Sequence, residues 1–136
     1  MFVLDCSAAV SFLFEDEASA NADAVLDRLK EESARVPSLW RLELGNVLAG
    51  AERAGRISDS QLIAYLEIVR QLPIVTDTAT DERALREALA LARREGLTTY
   101  DAAYLELSLR LSIPLATSDA LLARAARNLG VATIAL

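Results

Sequence analysis

The amino-acid sequence predicts one α/β domain over residues 1–136, with helices covering both faces of a parallel sheet. Three observations predict it. Short apolar segments alternate with longer segments of helical period, the order that builds βαβ units. Gly55, Gly96 and Gly130 each follow a helical segment, where a left-handed residue ends a helix. The chain also holds 25 alanines and 24 leucines in 136 residues, with 53% apolar residues in all. Both residue types favour helix, and the apolar share supplies one core and excludes disorder.

In chain order, residues 2–5 read as a short buried strand and residues 7–14 as a short helix. Residues 19–34 read as a longer amphipathic helix, with Ala22, Val25, Leu26 and Leu29 on its apolar face. Residues 35–37 are the second strand. Residues 39–54 form a helix whose core face is Trp40, Leu44, Val47, Leu48 and Ala51. Ser58 opens the next helix: Gln61, three residues on, completes a capping box, and Ile57 and Leu62 can staple across it. That helix runs to about Leu72, and Pro73 leads into a third strand over 74–76. A helix over 80–95 follows. Thr98 or Thr99 caps a helix running to Leu111. Residues 114–117 are the fourth strand, 119–129 a helix, and 131–136 the fifth strand.

What the sequence lacks narrows its chemistry. It has no histidine, which excludes imidazole bases, Ser-His-Asp triads and His-ligated zinc. Its one cysteine, Cys6, allows no intrachain disulfide and reads as a small buried hydrophobe. Its one lysine, Lys30, belongs to no phosphate-binding loop. Aromatics are 5%, too few for a broad platform of base-stacking rings. A net charge of −6 gives nucleic acid no bulk attraction, though it leaves room for an enzyme that acts through bound cations. No apolar run is long enough to cross a membrane, and the N-terminus lacks the basic region of a signal peptide. A cytoplasmic protein with a reduced thiol is the expectation.

In open parallel sheets, ligands bind beyond the carboxyl ends of the strands, at the switch point of the strand order. Asp5 ends the first strand and Asp119 follows the fourth, so the two converge if those strands are neighbours. Either can instead cap the helix that follows it, and Ser7 is placed to cap as well. Glu43 lies about 80° from the centre of its helix's apolar face. It shares a row with Val47 and the small residues Gly50 and Ala54, and Asn46 follows along the same edge. Asp101, in Thr98-Thr-Tyr-Asp101, can be the fourth member of a capping box. It also points roughly 140–180° away from Glu106 and Arg110, the pair that marks the expected wet stripe of its helix. A carboxylate on the inward side needs a partner, and an arginine or a metal ion is what remains. Grouped carboxylates repel one another, and a divalent cation relieves the repulsion. Oxygen-only ligands suit Mg²⁺ or Mn²⁺, which can activate water and stabilise charge on a phosphate.

The segments FVLDCSAAV, LWRLELGNVL, LTTYDAAYLELSLRL and PLATSDALLARAARNLGV carry a resemblance across the whole chain. In order and spacing they resemble the PIN-domain ribonucleases, and more closely the small VapC-type toxins of bacterial toxin–antitoxin pairs. The resemblance implies a three-layer fold with a five-stranded parallel sheet of order 3-2-1-4-5. It places an acidic quartet on Asp5, Glu43, Asp101 and Asp119. It implies endonucleolytic hydrolysis of RNA with Mg²⁺ or Mn²⁺ held mainly by Asp5, Asp101 and Asp119, with Glu43 as a ligand or directing the water. Ser7, Asn46, Thr117 and Ser118 match positions that support ligands or contact phosphate. A basic residue common in relatives after the last acid is absent here, which turns attention to Arg41, Arg93 and Arg94 for substrate grip. The resemblance further implies a cognate VapB-type antitoxin and a homodimer, with the helices at 19–34 and 39–54 as plausible groove walls.

Two other Mg²⁺-binding parallel-sheet proteins fit less well. A receiver domain needs an acidic pair after strand one and a lysine after strand five. A haloacid-dehalogenase-type phosphatase needs Asp-x-Asp where this chain has Asp5-Cys6-Ser7. The alternative kept open is a PIN-like module that binds partners without catalysis.

Overall fold

The structure is a computed structural model that describes residues 1–136. Five short parallel strands form its sheet: β1 (Phe2–Leu4), β2 (Ala34–Val36), β3 (Ile74–Thr76), β4 (Leu115–Ala116) and β5 (Thr133–Ile134). Their spatial order is β3-β2-β1-β4-β5, as the resemblance implies. Val3 pairs with Arg35 on one side and with Leu115 on the other. Successive residues of a strand face opposite sides of its sheet. Phe2, Val3 and Leu4 are all fully buried, so both faces are covered. The switch point lies between β1 and β4.

The helices are α1 (Cys6–Leu13), α2 (Ala20–Arg28), α3 (Trp40–Arg53), α4 (Asp59–Gln71), α5 (Thr80–Arg83), α6 (Leu89–Glu95), α7 (Thr99–Leu111) and α8 (Ala120–Asn128). A 3₁₀ turn (Glu15–Glu17) follows α1, and one turn of π-helix (Ala84–Ala88) joins α5 to α6. The caps are mostly those the sequence signals. Ser58 and Gln61 form the capping box of α4. Gly96, at φ 68°, ends α6 in the left-handed conformation that glycine adopts without strain. Ser112 ends α7 at φ 54°, a left-handed stop that carries no glycine signal. Trp40, Tyr104, Phe2 and Phe14 are the largest fully buried side chains.

Three elements differ from their sequence expectation. The helix expected over 19–34 stops at Arg28. The Arg28 carbonyl accepts from the amides of Glu31 and Glu32, which turns the chain. Pairing with β1 and β3 then draws Ala34–Val36 into the sheet, so tertiary contacts override helix propensity. The helix over 80–95 is broken by its π turn. The fifth strand shrinks to two residues at the sheet edge.

The fourth difference concerns charge. Glu106 and Arg110 do not mark a wet stripe: Glu106 is 4% exposed, and every residue from Ala102 to Ser108 is buried. The reason is Asp77, just past β3. Arg110 donates to both of its carboxylate oxygens at 3.0 and 2.7 Å, and to Glu106 at 2.8 and 3.2 Å. Arg83 lies 3.6 Å from Glu106. Asp77 also accepts from the Ala79 amide and the Thr80 hydroxyl. The Arg110 guanidinium holds the Asp77 carboxyl below its usual range.

Removing one member of a buried ion cluster leaves its partners uncompensated. Glu106 is buried but Asp77 and Arg110 are only partly so, and Arg110→Met is expected to destabilise the protein by about 1–3 kcal/mol in urea unfolding at neutral pH. Because the folded pKa of Asp77 is depressed, the pair stabilises above the unfolded carboxyl range of about 4 and fades as pH falls below it. The penalty of Arg110→Met therefore shrinks in acid; an equal penalty at every pH would contradict this account.

Candidate active site at the switch point

Asp5 leaves the buried end of β1 and is itself 3% exposed. Its Oδ1 accepts from the Ser7 hydroxyl at 2.7 Å and from the Ala8 amide at 2.8 Å, which caps α1. Its Oδ2 accepts from the Thr117 hydroxyl, just past β4. Those hydroxyls accept in turn: Ser7 from the Ser118 amide and Thr117 from the Asp119 amide, each at 3.0 Å. The ends of β1 and β4 are thus tied through one carboxylate and two hydroxyls. Asp119 caps α8, accepting from the Leu122 amide at 2.9 Å.

A cleft of about 320 Å³ opens at this point. It is lined by Asp5, Cys6, Ser7, Val10, Glu17, Glu43, Val47, Asp101, Tyr104, Ser118 and Asp119. All four acids singled out in the sequence line it, each from a different segment. Asp119 combines its cleft position with the cap, so the two readings of that residue coexist. Thr98, not Thr99, caps α7 by accepting from the Asp101 amide at 3.1 Å. Glu43 accepts from the Tyr104 hydroxyl, which links α3 to α7.

The electrostatics of the cleft are one-sided. None of Asp5, Glu43, Asp101 and Asp119 forms an ion pair, and no lysine or arginine lines the cleft. The arginine partner that Asp101 could have had is absent. Burial pushes the Asp5 carboxyl up to about 6; its three hydrogen bonds oppose the rise, and the Asp101 charge adds to it. Burial, then the Asp119 charge, raises Asp101. Burial raises Glu43 against the hydrogen bond from Tyr104. The Cys6 thiol is pushed up to about 12 by burial and by Glu43 and Asp5, so it stays protonated and inert.

The donor set is carboxylate and hydroxyl oxygen alone, which fits a hard divalent cation. No three of the acids converge into a ready-made cage. Mg²⁺ accommodates such an open site, because it keeps several of its waters and takes one or two carboxylates directly. Asp5, Glu43, Asp101 and Asp119 are the carboxylates of the cleft that could hold it.

Not every expected residue reaches the cleft. Asn46 is exposed and faces solvent. A residue three positions on is displaced about 60° around a helix and one four positions on only about 40°, so Val47 rather than Asn46 shares the cleft with Glu43. Thr117 lies behind Asp5 rather than on the cleft wall. Arg41 donates to the Thr76 hydroxyl and stacks over Trp40, and Arg94 lies against Glu95. Neither these nor Arg93 lines the cleft. Two lining residues escape the sequence reading. Tyr104 lies on the buried side of α7 and reads in the sequence as a core residue; its contact with Glu43 comes from the packing of α3 on α7, which no local spacing signals. Glu17, held by Arg56 at 2.6 Å, carries no sequence signal either.

A larger cavity, of about 510 Å³, lies between α6 and α7. It is not the better site: its Arg110 already pairs with Glu106 and with Asp77.

A parallel α/β sheet with unpaired acids gathered at its switch point defines an acidic-cleft class of α/β protein, and comparison identifies the family. The PIN domain family matches residues 2–128, and the chain belongs to it. It is 34% identical over 125 residues to Ribonuclease VapC3 of Mycobacterium tuberculosis, covering 90% of this chain and 85% of that one. It is 33% identical over 125 residues to Ribonuclease VapC1 of the same organism, covering 90% and 89%. The fold is shared with the crystal structure of FitAcB from Neisseria gonorrhoeae, at a TM-score of 0.67 and 19% identity, covering 99% of this chain and 97% of that one.

The raised pKa of Asp5 has a consequence for stability. Its folded value of about 6 exceeds the ordinary 3.8, so the metal-free fold binds this proton more tightly than the unfolded chain does. The resulting stabilisation is full below about pH 4 and is lost as pH rises through about 6. At pH 8 the charged, buried Asp5 forfeits on the order of 3 kcal/mol relative to acid. Asp5→Asn removes that dependence. Metal-free Asp5→Asn is therefore expected to gain on the wild type as pH rises from about 4.5 to 8 in urea unfolding. A stability difference independent of pH would show that Asp5 does not carry the shift.

Proposed function

We propose that this chain is a divalent-metal-dependent endoribonuclease, the toxin of a toxin–antitoxin pair, restrained by a cognate VapB-type antitoxin. The observation that carries the reading is the set of four acids from four segments, none ion-paired, lining one cleft at the switch point. Relatives named Ribonuclease VapC, about a third identical over nine-tenths of the chain, support it.

In this reading Asp5, Asp101 and Asp119 hold Mg²⁺ or Mn²⁺, whose charge would lower the pKa of a water and neutralise the attacked phosphate. The chain's own groups do the rest. Glu43 would direct the water and take its proton as the water oxygen bonds to phosphorus; the bond to the leaving oxygen breaks in the same step, and that oxygen takes a proton from solvent. The Tyr104 hydroxyl fixes the orientation of Glu43. Ser7 and Thr117 spend their hydroxyl protons on Asp5, keep its carboxylate aimed and favour its charged form. Ser118 stands at the exposed lip, placed for a phosphate contact. The Cys6 thiol takes no part. The protein works in the cytoplasm as a homodimer, with α2 and α3 as walls for the antitoxin segment. No helix of the chain is long and apolar enough to cross a membrane.

The deciding experiment incubates purified, antitoxin-free protein with a pool of total RNA, with Mg²⁺, with Mn²⁺ and with chelator, and maps the new 5′ ends. Discrete cuts that chelator removes are expected. Asp5→Asn and Asp101→Asn each lower cleavage by at least about a hundredfold while the circular dichroism spectrum stays unchanged. Full cleavage in either variant with metal present would sink the site assignment. A protein that cuts nothing with any metal yet keeps its antitoxin affinity would be a binding module.

The hydroxyls that aim Asp5 make a graded prediction. Ser7→Ala and Thr117→Val are each expected to lower cleavage about 10- to 100-fold, with half-saturation by Mn²⁺ moved to higher concentration. A loss of cleavage with unaltered Mn²⁺ dependence would mean that these hydroxyls do not act through the ligand.

A further inference from the structure

Five acids line the cleft, and one of them is unlike the other four. Asp5, Glu43, Asp101 and Asp119 have no cation beside them, whereas Glu17 Oε2 accepts from Arg56 Nη2 at 2.6 Å. Glu17 comes from the 3₁₀ turn after α1 and is exposed. Its charge is answered by the protein, so it adds little to the repulsion that a metal ion relieves. Its capacity to accept is not used up, because the bond from Arg56 engages one carboxylate oxygen of the two.

An exposed ion pair alone holds its side chains weakly. This pair is mounted on the core. The Arg56 guanidinium lies 4.4 Å from the centroid of the Phe14 ring, and Phe14 is fully buried. Arg56 also donates to both oxygens of Asp16, at 3.2 and 2.8 Å. The turn itself is closed by the Glu17 amide, which donates to the Phe14 carbonyl at 3.0 Å. Asp16 already ties the turn to the connection between α3 and α4. The second acid does something else: it sets a carboxylate, aimed by a fixed guanidinium, on the wall of the cleft.

Resting on the ribonuclease reading of this cleft, we infer that Glu17 selects the base beside the scissile phosphate, and that the base is guanine. At about 320 Å³ the cleft is at the small end of ligand-binding clefts, so Glu17 and the other four acids meet the same nucleotide or its neighbour. An ionised carboxylate only accepts hydrogen bonds, through two oxygens side by side. Proteins read exposed RNA bases on their Watson–Crick edges. On that edge guanine alone sets two donors side by side, its ring N–H and its amino group. Adenine and cytosine set one amino donor beside an acceptor nitrogen. Uracil sets one N–H between two carbonyl oxygens. An acceptor that faces the second carboxylate oxygen repels it, so these three bases fit worse. Arg56 is the positioning residue, acting on the base through Glu17.

The test is cleavage of a random-sequence RNA, with Mn²⁺, by the wild type, Glu17→Gln and Arg56→Gln, with the bases flanking each cut read by sequencing. The wild type is expected to enrich guanine at one position beside the cut. Glutamine keeps the shape of Glu17 and exchanges one acceptor oxygen for a donor. In Glu17→Gln, kcat/KM for RNAs with guanine at that position is expected to fall about tenfold or more, and for other RNAs to stay within about threefold. Arg56→Gln is expected to lose the enrichment as well, although its Glu17 is intact. Inosine is guanine's nucleoside without the amino group. Placing it at that position is expected to lower kcat/KM about tenfold in the wild type and to change nothing in Glu17→Gln. A wild type without base preference, or a Glu17→Gln that still tells guanine from inosine, would overturn the proposal and leave the nuclease intact. So would an equal loss on all RNAs with half-saturation by Mn²⁺ moved upward, which would make Glu17 a ligand of the ion. A wild type that cuts no more than Asp5→Asn would remove the nuclease reading and this proposal with it.

Discussion

The structure turns on one desolvated carboxylate. β1 is the central strand, buried on both faces and paired on both edges, so the residue that ends it cannot reach bulk water. That residue is Asp5. Its charge is opposed by burial and favoured by one amide and two hydroxyls, and burial prevails. The hydroxyls come from both sides of the switch point, so the same contacts that hold Asp5 also fix β4 and the start of α8. Fold and site share a single set of hydrogen bonds.

A second aspartate shows what a purely structural answer to the same problem looks like. Asp77 follows β3 as Asp5 follows β1, and it is half-buried. Arg110 reaches it with two hydrogen bonds and pulls its pKa down. Asp5 receives no cation, and its pKa goes up. Both are strand-ending acids in one sheet, and they differ in the partner supplied. A carboxylate that evolution leaves unneutralised at a ligand-binding position marks a site, because its compensation has to come from a ligand. The contrast also separates the two concavities. The larger one contains charges already paired, and the smaller one contains charges that are not.

The sheet is legible because its signals are local. The buried apolar triplet Phe2–Leu4, the capping box at Ser58 and the glycine after α6 each fix one boundary without reference to distant residues. The exact extent of α2 is not, because its end depends on β2 pairing with β1 at the start of the chain and with β3 some 40 residues further on. Asp5 and Asp119 could be placed together once strands one and four were taken as neighbours, since the switch point is a rule of topology. Glu43 could be placed by helical phase, and Asn46 could not, because 60° on a helix decides between cleft and water. Glu106 and Arg110 were misread as a solvated pair for a related reason: their spacing is that of a surface salt bridge, and Asp77 stands 29 residues before Glu106. Long-range ion clusters leave no pattern in a single sequence.

The absence of basic residues from the cleft ties binding to chemistry. In most nucleic-acid proteins, lysine and arginine attract the phosphates whatever the state of the active site. Here the cleft repels them until a cation is bound. In the proposed reading the same ion then neutralises the acids, admits the phosphate and activates the water. Affinity and turnover therefore rise and fall together with ion occupancy. The same dependence exposes one simple point of control. The resemblance to VapC-type toxins implies an antitoxin that places a basic side chain in this pocket, and such a cation would satisfy the carboxylates as Arg110 satisfies Asp77.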